Sequence, residues 1–516
     1  VYMSTAASPA KRRTRDTWTS QTGFLMAAIG SAIGLGNIWR FPGVAYTNGG
    51  GAFLVPYLVA LLFAGIPILW LEYAVGHKFR GTPPWAFRRM NAKGEFLGWL
   101  CVFICFVIIT YYAAVVAWSG SYVVYSITEA WGEDSQTFFL SSFLGTVGSD
   151  EFSWTPVAAV AIPLVLVWAC ILLIASFGVA RGLEKANKIF LPLLVVLFLA
   201  LVVRALFLPG ALEGLSAFFT PNWSSLTQPK VWLAAFAQIF FSLSVGFGIM
   251  LTYASYLQKK SNVTGTALVA GFANSSFEIL AGIGVFSALG FMAHSQGVAV
   301  SELKGLTGPI LSFVTFPKII SMMPGGPLFG VLFFSSLVLA GITSLLSLLQ
   351  VVSGAIQDKF ALTPVKASLV MGIPTTIISL AFFATRSGLN TLDIVDNFIN
   401  NVGVVGCAIA MALYTALVRP RLRGLRTHLN SVSAPSIPPV WDYLVGLIIP
   451  LVLAFMLVTS VISSISEGYG GYAGYLVNIF GWGSVGFALL ASAIVTLMPW
   501  SHPQRSSTSS TSKEIA

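Results

Sequence analysis

The stretch Ser31-Ala-Ile-Gly-Leu-Gly-Asn-Ile-Trp-Arg-Phe-Pro42 lies inside the first long apolar segment, and an ordinary membrane helix would not contain it. Gly34, Gly36, Asn37, Arg40 and Pro42 interrupt what should be roughly 20 residues facing hydrocarbon. Backbone freed from a helix at bilayer depth persists only where it is buried in protein or lines a cavity. A second interruption, Phe241-Ser-Leu-Ser-Val-Gly-Phe-Gly248, breaks a later span at the corresponding place. Broken helices at matching positions in two halves of one chain point to a secondary transporter, with the breaks as its binding site.

Composition agrees. Hydrophobic residues make up 56% of the 516 and charged ones 9%, against about 25% charged in soluble domains. With a mean hydropathy of +0.84 this reads as a polytopic membrane protein. About twelve spans begin near Gln21, Gly51, Leu97, Pro156, Lys188, Lys230, Gly265, Leu328, Lys366, Leu392, Val440 and Ala473. The basic start Lys11, Arg12, Arg13 and Arg15 precedes a span too long and too featured to be a cleaved signal peptide.

The net charge of +10 is explained by topology. Lys and Arg recur in alternate connections, among them Lys78, Arg88, Arg181, Lys188, Lys259, Lys359, Arg419 and Arg423. The stretch 128–155 carries Glu129, Glu133, Asp134, Asp150 and Glu151 and no basic residue. This positive-inside pattern places both termini in the cytoplasm and removes the case for a nucleic-acid partner. Cys101, Cys105, Cys170 and Cys407 lie in apolar spans with no His or further Cys nearby, and read as small buried packing residues.

Trp18, Gly30-Ser-Ala-Ile-Gly-Leu-Gly-Asn-Ile-Trp-Arg-Phe-Pro42, Asn48-Gly-Gly-Gly-Ala-Phe53 and Gly65-Ile-Pro-Ile-Leu-Trp-Leu-Glu72 together resemble the neurotransmitter:sodium symporter family, its bacterial leucine-transporting branch above all. The resemblance continues through Tyr111-Tyr112, Gln238 to Gly248, Thr252-Tyr-Ala-Ser-Tyr256 and Ala340-Gly-Ile-Thr-Ser344. It covers Arg15 to the tenth span; the last two spans match only by hydropathy. It implies an all-α fold of two five-helix inverted repeats, with helices 1 and 6 broken, plus two peripheral helices. The corresponding division is a cytoplasmic tail at 1–14, a transporter core at 15–420, helices 11 and 12 at 421–500, and a tail at 501–516.

Unwinding between Ala32 and Asn37 exposes amide N–H groups at the positive end of a half-helix, which suits a carboxylate. Leu35 and Gly36 are the expected donors, with the Tyr112 hydroxyl beside them. By resemblance, one sodium ion is held by Ala32, Asn37, Ser242, Asn274 and the substrate carboxylate. A second is held by Gly30, Ile33 and Ala340 through carbonyls and by the Thr343 and Ser344 hydroxyls. Taken alone, Thr343 and Ser344 would read as helix-packing residues; amides such as Asn37 and Asn274 inside spans demand partners.

Gly34 stands where amine-transporting relatives carry an Asp, so a substrate bringing its own carboxylate is expected. Ile108, Tyr112, Phe241, Ser244, Phe247, Ser344 and Leu348 make a neutral pocket, in which a charged side chain would be costly. A neutral, mostly hydrophobic amino acid fits, and the bulk of Ile108 and Leu348 favours smaller ones. Arg40 with Asp396 is the expected outer gate, with Asp393 as a rival acid. Arg15 with Asp358, near Trp18, Tyr256 and Gln350, is the expected cytoplasmic gate. Glu278, one turn after Asn274, stands where chloride-dependent relatives carry Ser and is expected to supply that negative charge itself. Glu72 reads as structural.

The implied function is sodium-coupled, chloride-independent import by alternating access in the cell membrane. A non-transporting sensor of the same fold would share the binding residues. A channel would need a continuous polar lining, and no catalytic cluster surrounds the four histidines.

Overall fold

The computed structural model describes residues 16–501, so Arg15 and both tails lie outside the described residues. Ten helices are long and apolar enough to cross a membrane: α2 Gly51–Phe79, α3 Ala92–Thr128, α4 Ala158–Ser176, α5 Val179–Leu206, α7 Val263–Gln296, α8 Gly326–Phe360, α9 Pro364–Phe383, α10 Gly388–Leu417, α11 Val440–Ser466 and α12 Gly474–Leu497. The first span is a bent pair, α1a Gln21–Ala32 and α1b Leu35–Thr47, turned by 50°. The sixth is α6a Pro229–Ser242 and α6b Ile249–Ala254, neither half long enough to cross alone. Twelve spans result, two of them broken, in an all-α multi-pass membrane protein.

Both breaks follow from local backbone preference. Ile33 and Gly34 are extended, ending α1a and starting α1b. Between α6a and α6b the chain takes positive φ at Ser244 (53°), Gly246 (88°) and Gly248 (76°), a region glycine enters without steric cost. The longest helices, α3 and α8, pack along each other through the middle. Of their apolar stretches 89% and 67% is buried, against 17–28% for α4, α9, α11 and α12. The apolar outer layer therefore includes α4 and α9 besides the two peripheral helices α11 and α12.

Lys359, read from sequence as a topology charge, is instead fully buried. Its ammonium donates to Glu95 Oε1 at 2.6 Å and to the Val495 carbonyl at 2.5 Å. Trp99 and Trp500 donate to the same carboxylate at 3.2 and 2.9 Å, and Arg88 pairs with it from the rim. The start of α3, the end of α8 and the residues after α12 are thereby clasped together. Of the cysteines, Cys101, Cys105 and Cys407 are buried as expected and Cys170 is not. Cys101 and Cys407, distant in sequence, bring their sulfurs to 3.1 Å because α3 faces α10 at that level. Cys170 is exposed on the outer side of α4.

Replacing Lys359 by Met should strand the Glu95 carboxylate. Because Arg88 remains, the loss should fall at the lower end of the roughly 3–5 kcal/mol typical of a broken buried pair. Reversible unfolding in detergent measures it, and adding Glu95→Gln to Lys359→Met should recover part of the loss.

Candidate substrate and ion site

The two breaks meet midway along the bundle, tied by a line of amide hydrogen bonds. The Gly34 N–H donates to Asn37 Oδ1 at 2.9 Å, Asn37 Nδ2 to Asn274 Oδ1 at 2.8 Å, and Asn274 Nδ2 to Ser242 Oγ at 2.8 Å. Asn37, Asn274 and Ser242 are all buried. One turn on from Asn274, the buried Glu278 accepts from Gln238 Nε2 at 2.6 Å and contacts the Tyr57 hydroxyl, which also reaches Ser275. On the other side, the Ser31 carbonyl near the end of α1a accepts from Ser244 Oγ at 3.2 Å and Ser344 Oγ at 3.4 Å. Such terminal carbonyls have no partner within the helix.

The break in α6 is held by a residue that the sequence marks only as structural. Glu72 of α2 is buried, and its Oε1 accepts the Gly246 N–H at 2.6 Å while Oε2 accepts the Leu251 N–H at 3.2 Å. Its carboxylate satisfies donors that unwinding releases, which buried backbone requires. An acid inside an apolar span was the available signal.

A cavity of about 650 Å³ opens beside the breaks, and all the expected substrate-binding residues line it: Ala32, Leu35, Gly36, Ile108, Tyr112, Phe241, Ser242, Ser244, Phe247, Ser344 and Leu348. The Leu35 N–H, expected to be free for a carboxylate, is engaged by the Tyr112 hydroxyl at 3.2 Å. Of the second expected sodium set, Thr343 Oγ1 donates within α8 to Ala340 and Leu339 at 3.0 and 3.1 Å. That donation leaves the oxygen's lone pairs available. Gly30 faces Thr343 across the α1a–α8 contact: a Cβ there would lie 3.6 Å from Thr343 Cβ. Ile33, just beyond α1a, is buried beside them. These oxygens suit a hard cation, and the donor chemistry fits sodium.

The gates differ from the sequence picture. Arg40 lies with its guanidinium carbon 4.6 Å over the Phe241 ring. Among the described residues it forms no ion pair with Asp396. That carboxylate accepts instead from the Tyr111 hydroxyl at 2.6 Å and from Asn400 at 2.9 Å. Asp393 is bound by Tyr469 and Tyr472, at 3.2 and 3.0 Å. Asp393, Asp396 and their partners Tyr111, Asn400, Tyr469 and Tyr472 all line the cavity, together with Arg40. At the opposite end the chain is packed shut. Trp18 donates its indole N–H to the Tyr253 carbonyl at 2.8 Å and its backbone N–H to Tyr256 at 3.1 Å. Gln350 Nε2 reaches the Tyr256 hydroxyl at 2.9 Å. Asp358 accepts from the Thr82 N–H and hydroxyl at 3.0 and 2.7 Å, whereas its expected partner Arg15 lies outside the described residues.

A bundle with two unwound helices meeting at a central cavity, closed at one end, has the architecture of a sodium-coupled secondary transporter. The chain matches the profile of the Sodium:neurotransmitter symporter family over residues 15–155 and 133–505, and it belongs to that family. It is 40% identical over 489 residues to an uncharacterized sodium-dependent transporter of Methanocaldococcus jannaschii, spanning 94% of this chain and 98% of that one. It is 35% identical over 370 residues to the sodium- and chloride-dependent creatine transporter 1 of Homo sapiens, 64% of this chain and 58% of that one. Among solved structures, MhsT in complex with L-phenylalanine superposes with a TM-score of 0.73 at 30% identity, covering 87% of this chain and all of that one.

Glu72→Gln would keep the shape but leave one released N–H facing an amide donor. An orphaned buried group costs about 1–3 kcal/mol, so the variant should melt lower in detergent. The α6 break should loosen too, and ligand-induced stabilisation should shrink with it.

Proposed function

We propose that the chain imports neutral, mostly hydrophobic α-amino acids with sodium, by alternating access and without chloride. On this reading it sits in the cell membrane with both termini cytoplasmic. The observation that carries it is the meeting of a half-helix N-terminus, a satisfied amide line and a neutral cavity at one point. The substrate carboxylate would take the place of the Tyr112 hydroxyl at Leu35, with the hydroxyl turned to donate to it, and Gly36 adding its N–H. A Cβ at Gly34 would lie 3.0 Å from Ser344 Oγ and 3.1 Å from Tyr112 Oη. An acidic side chain there would need its neighbours to shift, so the negative charge is left to the ligand.

Sodium would occupy two sets: Ala32, Asn37, Ser242, Asn274 and the carboxylate, then Gly30, Ile33, Ala340, Thr343 and Ser344. In the first, ion and substrate share a contact, which couples them. Each inward sodium ion gains about 2.3 kcal/mol per 100 mV of membrane potential, besides its concentration gradient. Glu278 would offset the positive charge of the loaded site, where unpaired charge is expensive. Ile108 and Leu348 limit the side chain accepted, and MhsT, which was solved with L-phenylalanine, supports an amino acid as ligand. Arg40 and Asp396, now apart across the mouth, would close over the substrate. Asp358, with Arg15, would hold the other end until release. A sensor of the same fold would bind without turnover, so net uptake separates the two readings.

In proteoliposomes, uptake of a neutral amino acid should collapse when external sodium is replaced by choline; uptake that persists unchanged sinks the proposal. Asn37→Ala should raise the half-saturating sodium and substrate concentrations together, each by about tenfold, the effect of losing one buried ligand. Glu278→Ser should make transport chloride-dependent, while the parent works equally in gluconate. Strong chloride stimulation of the parent would remove the role given to Glu278.

A further inference from the structure

Asn187 of α5 is absent from every ligand set above, yet its side chain points at one of them. It is fully buried, two turns into the helix. Its Nδ2 donates to the Leu183 carbonyl one turn back at 2.9 Å, which fixes the amide with Oδ1 turned inward. That Oδ1 has no hydrogen-bond partner among the described residues. It lies 2.5 Å from where a Cβ on Gly30 would sit, and Thr343 Cβ lies 3.6 Å from the same point. The oxygen therefore enters the space that the missing side chain of Gly30 leaves between α1a, α5 and α8.

A buried amide oxygen left without a donor is costly. Nearby cations do not relieve it: Lys188, the next residue, is held by Glu184 at 2.6 Å and Ser20 at 3.1 Å. What lies against it are Gly30 and Thr343, two members of the set that the reading above gives to sodium. Amide carbonyls are good ligands for hard cations and carry no charge that would overneutralise a monovalent ion.

We infer that Asn187 Oδ1 is a further ligand of the second sodium ion, extending that set from two helices to three. The inference rests on the assignment of that set to sodium. It makes α5 a direct reporter of the ion: with sodium bound, α1a, α5 and α8 share one ligand sphere, and without it Asn187 has no partner to hold α5 against α1a. Gly30 is required in this arrangement because any side chain would displace the Asn187 oxygen.

The test is a sodium titration of thermal stability on the purified full chain, with choline chloride keeping ionic strength constant. Asn187→Ala should raise the sodium concentration for half-maximal stabilisation by about tenfold. Asn187→Asp, which retains the oxygen but not the Leu183 bond, should keep the half-point at or below that of the parent. If both variants lower the melting temperature equally at every sodium concentration and leave the half-point unchanged, Asn187 only braces α5 and the inference is overturned. Sodium failing to stabilise even the parent would overturn the sodium assignment itself, and this inference with it.

Discussion

Peptide groups that leave helical geometry in an apolar interior must be satisfied by something other than water, and the centre of this molecule is organised around that demand. At α1 the released Gly34 N–H is taken by Asn37, whose own amide continues the line to Asn274 and Ser242. At α6 the released Gly246 N–H is taken by Glu72. One break is thus closed by neutral amides and the other by a charge. On the proposed function the neutral line would exchange partners with an ion or a carboxylate, whereas the Glu72 carboxylate stays on the backbone of α6.

The rest of the bundle supports these two points. The α3–α8 pair supplies a rigid axis, contributing Tyr112 from one helix and Thr343 and Ser344 from the other. The tight seal of Trp18 on Tyr253 and Tyr256 closes one end, while at the other Arg40 and Asp396 stand apart and line the cavity. The acids at that end are satisfied by Tyr111, Asn400, Tyr469 and Tyr472. Arg40 rests on an aromatic face instead, so the pair can stand open without an unpartnered charge.

The fold was legible because helix-breaking residues inside an apolar run have few explanations, and two such runs at matching places have fewer. Of the expected substrate-binding residues that line the cavity, all but Ile108 and Leu348 stand in the quoted motifs. What was not legible was contact across distant segments. The approach of Cys407 to Cys101 and the burial of Lys359 against Glu95 depend on how helices far apart in sequence are juxtaposed. The Arg40–Asp396 gate was expected from the family resemblance, with Asp393 as a rival, while the donors Tyr111 and Asn400 that hold Asp396 become visible only in three dimensions. Asn187 is a different case. The rule that singled out Asn37 and Asn274 as amides inside spans misses it, because the sequence places the start of the fifth span near Lys188, one residue further on, whereas α5 begins at Val179.

The clasp at Glu95 ties together parts of the chain made at very different times. The carboxylate enters α3 early, while Trp500, one of its donors, follows 405 residues later. Lys359 arrives between them. During synthesis the start of α3 must therefore remain near water, or lean on Arg88 alone, until α8 and then the end of α12 have been inserted. Trp500, just beyond the last helix, thus completes a charge cluster that joins the ends of α3 and α8.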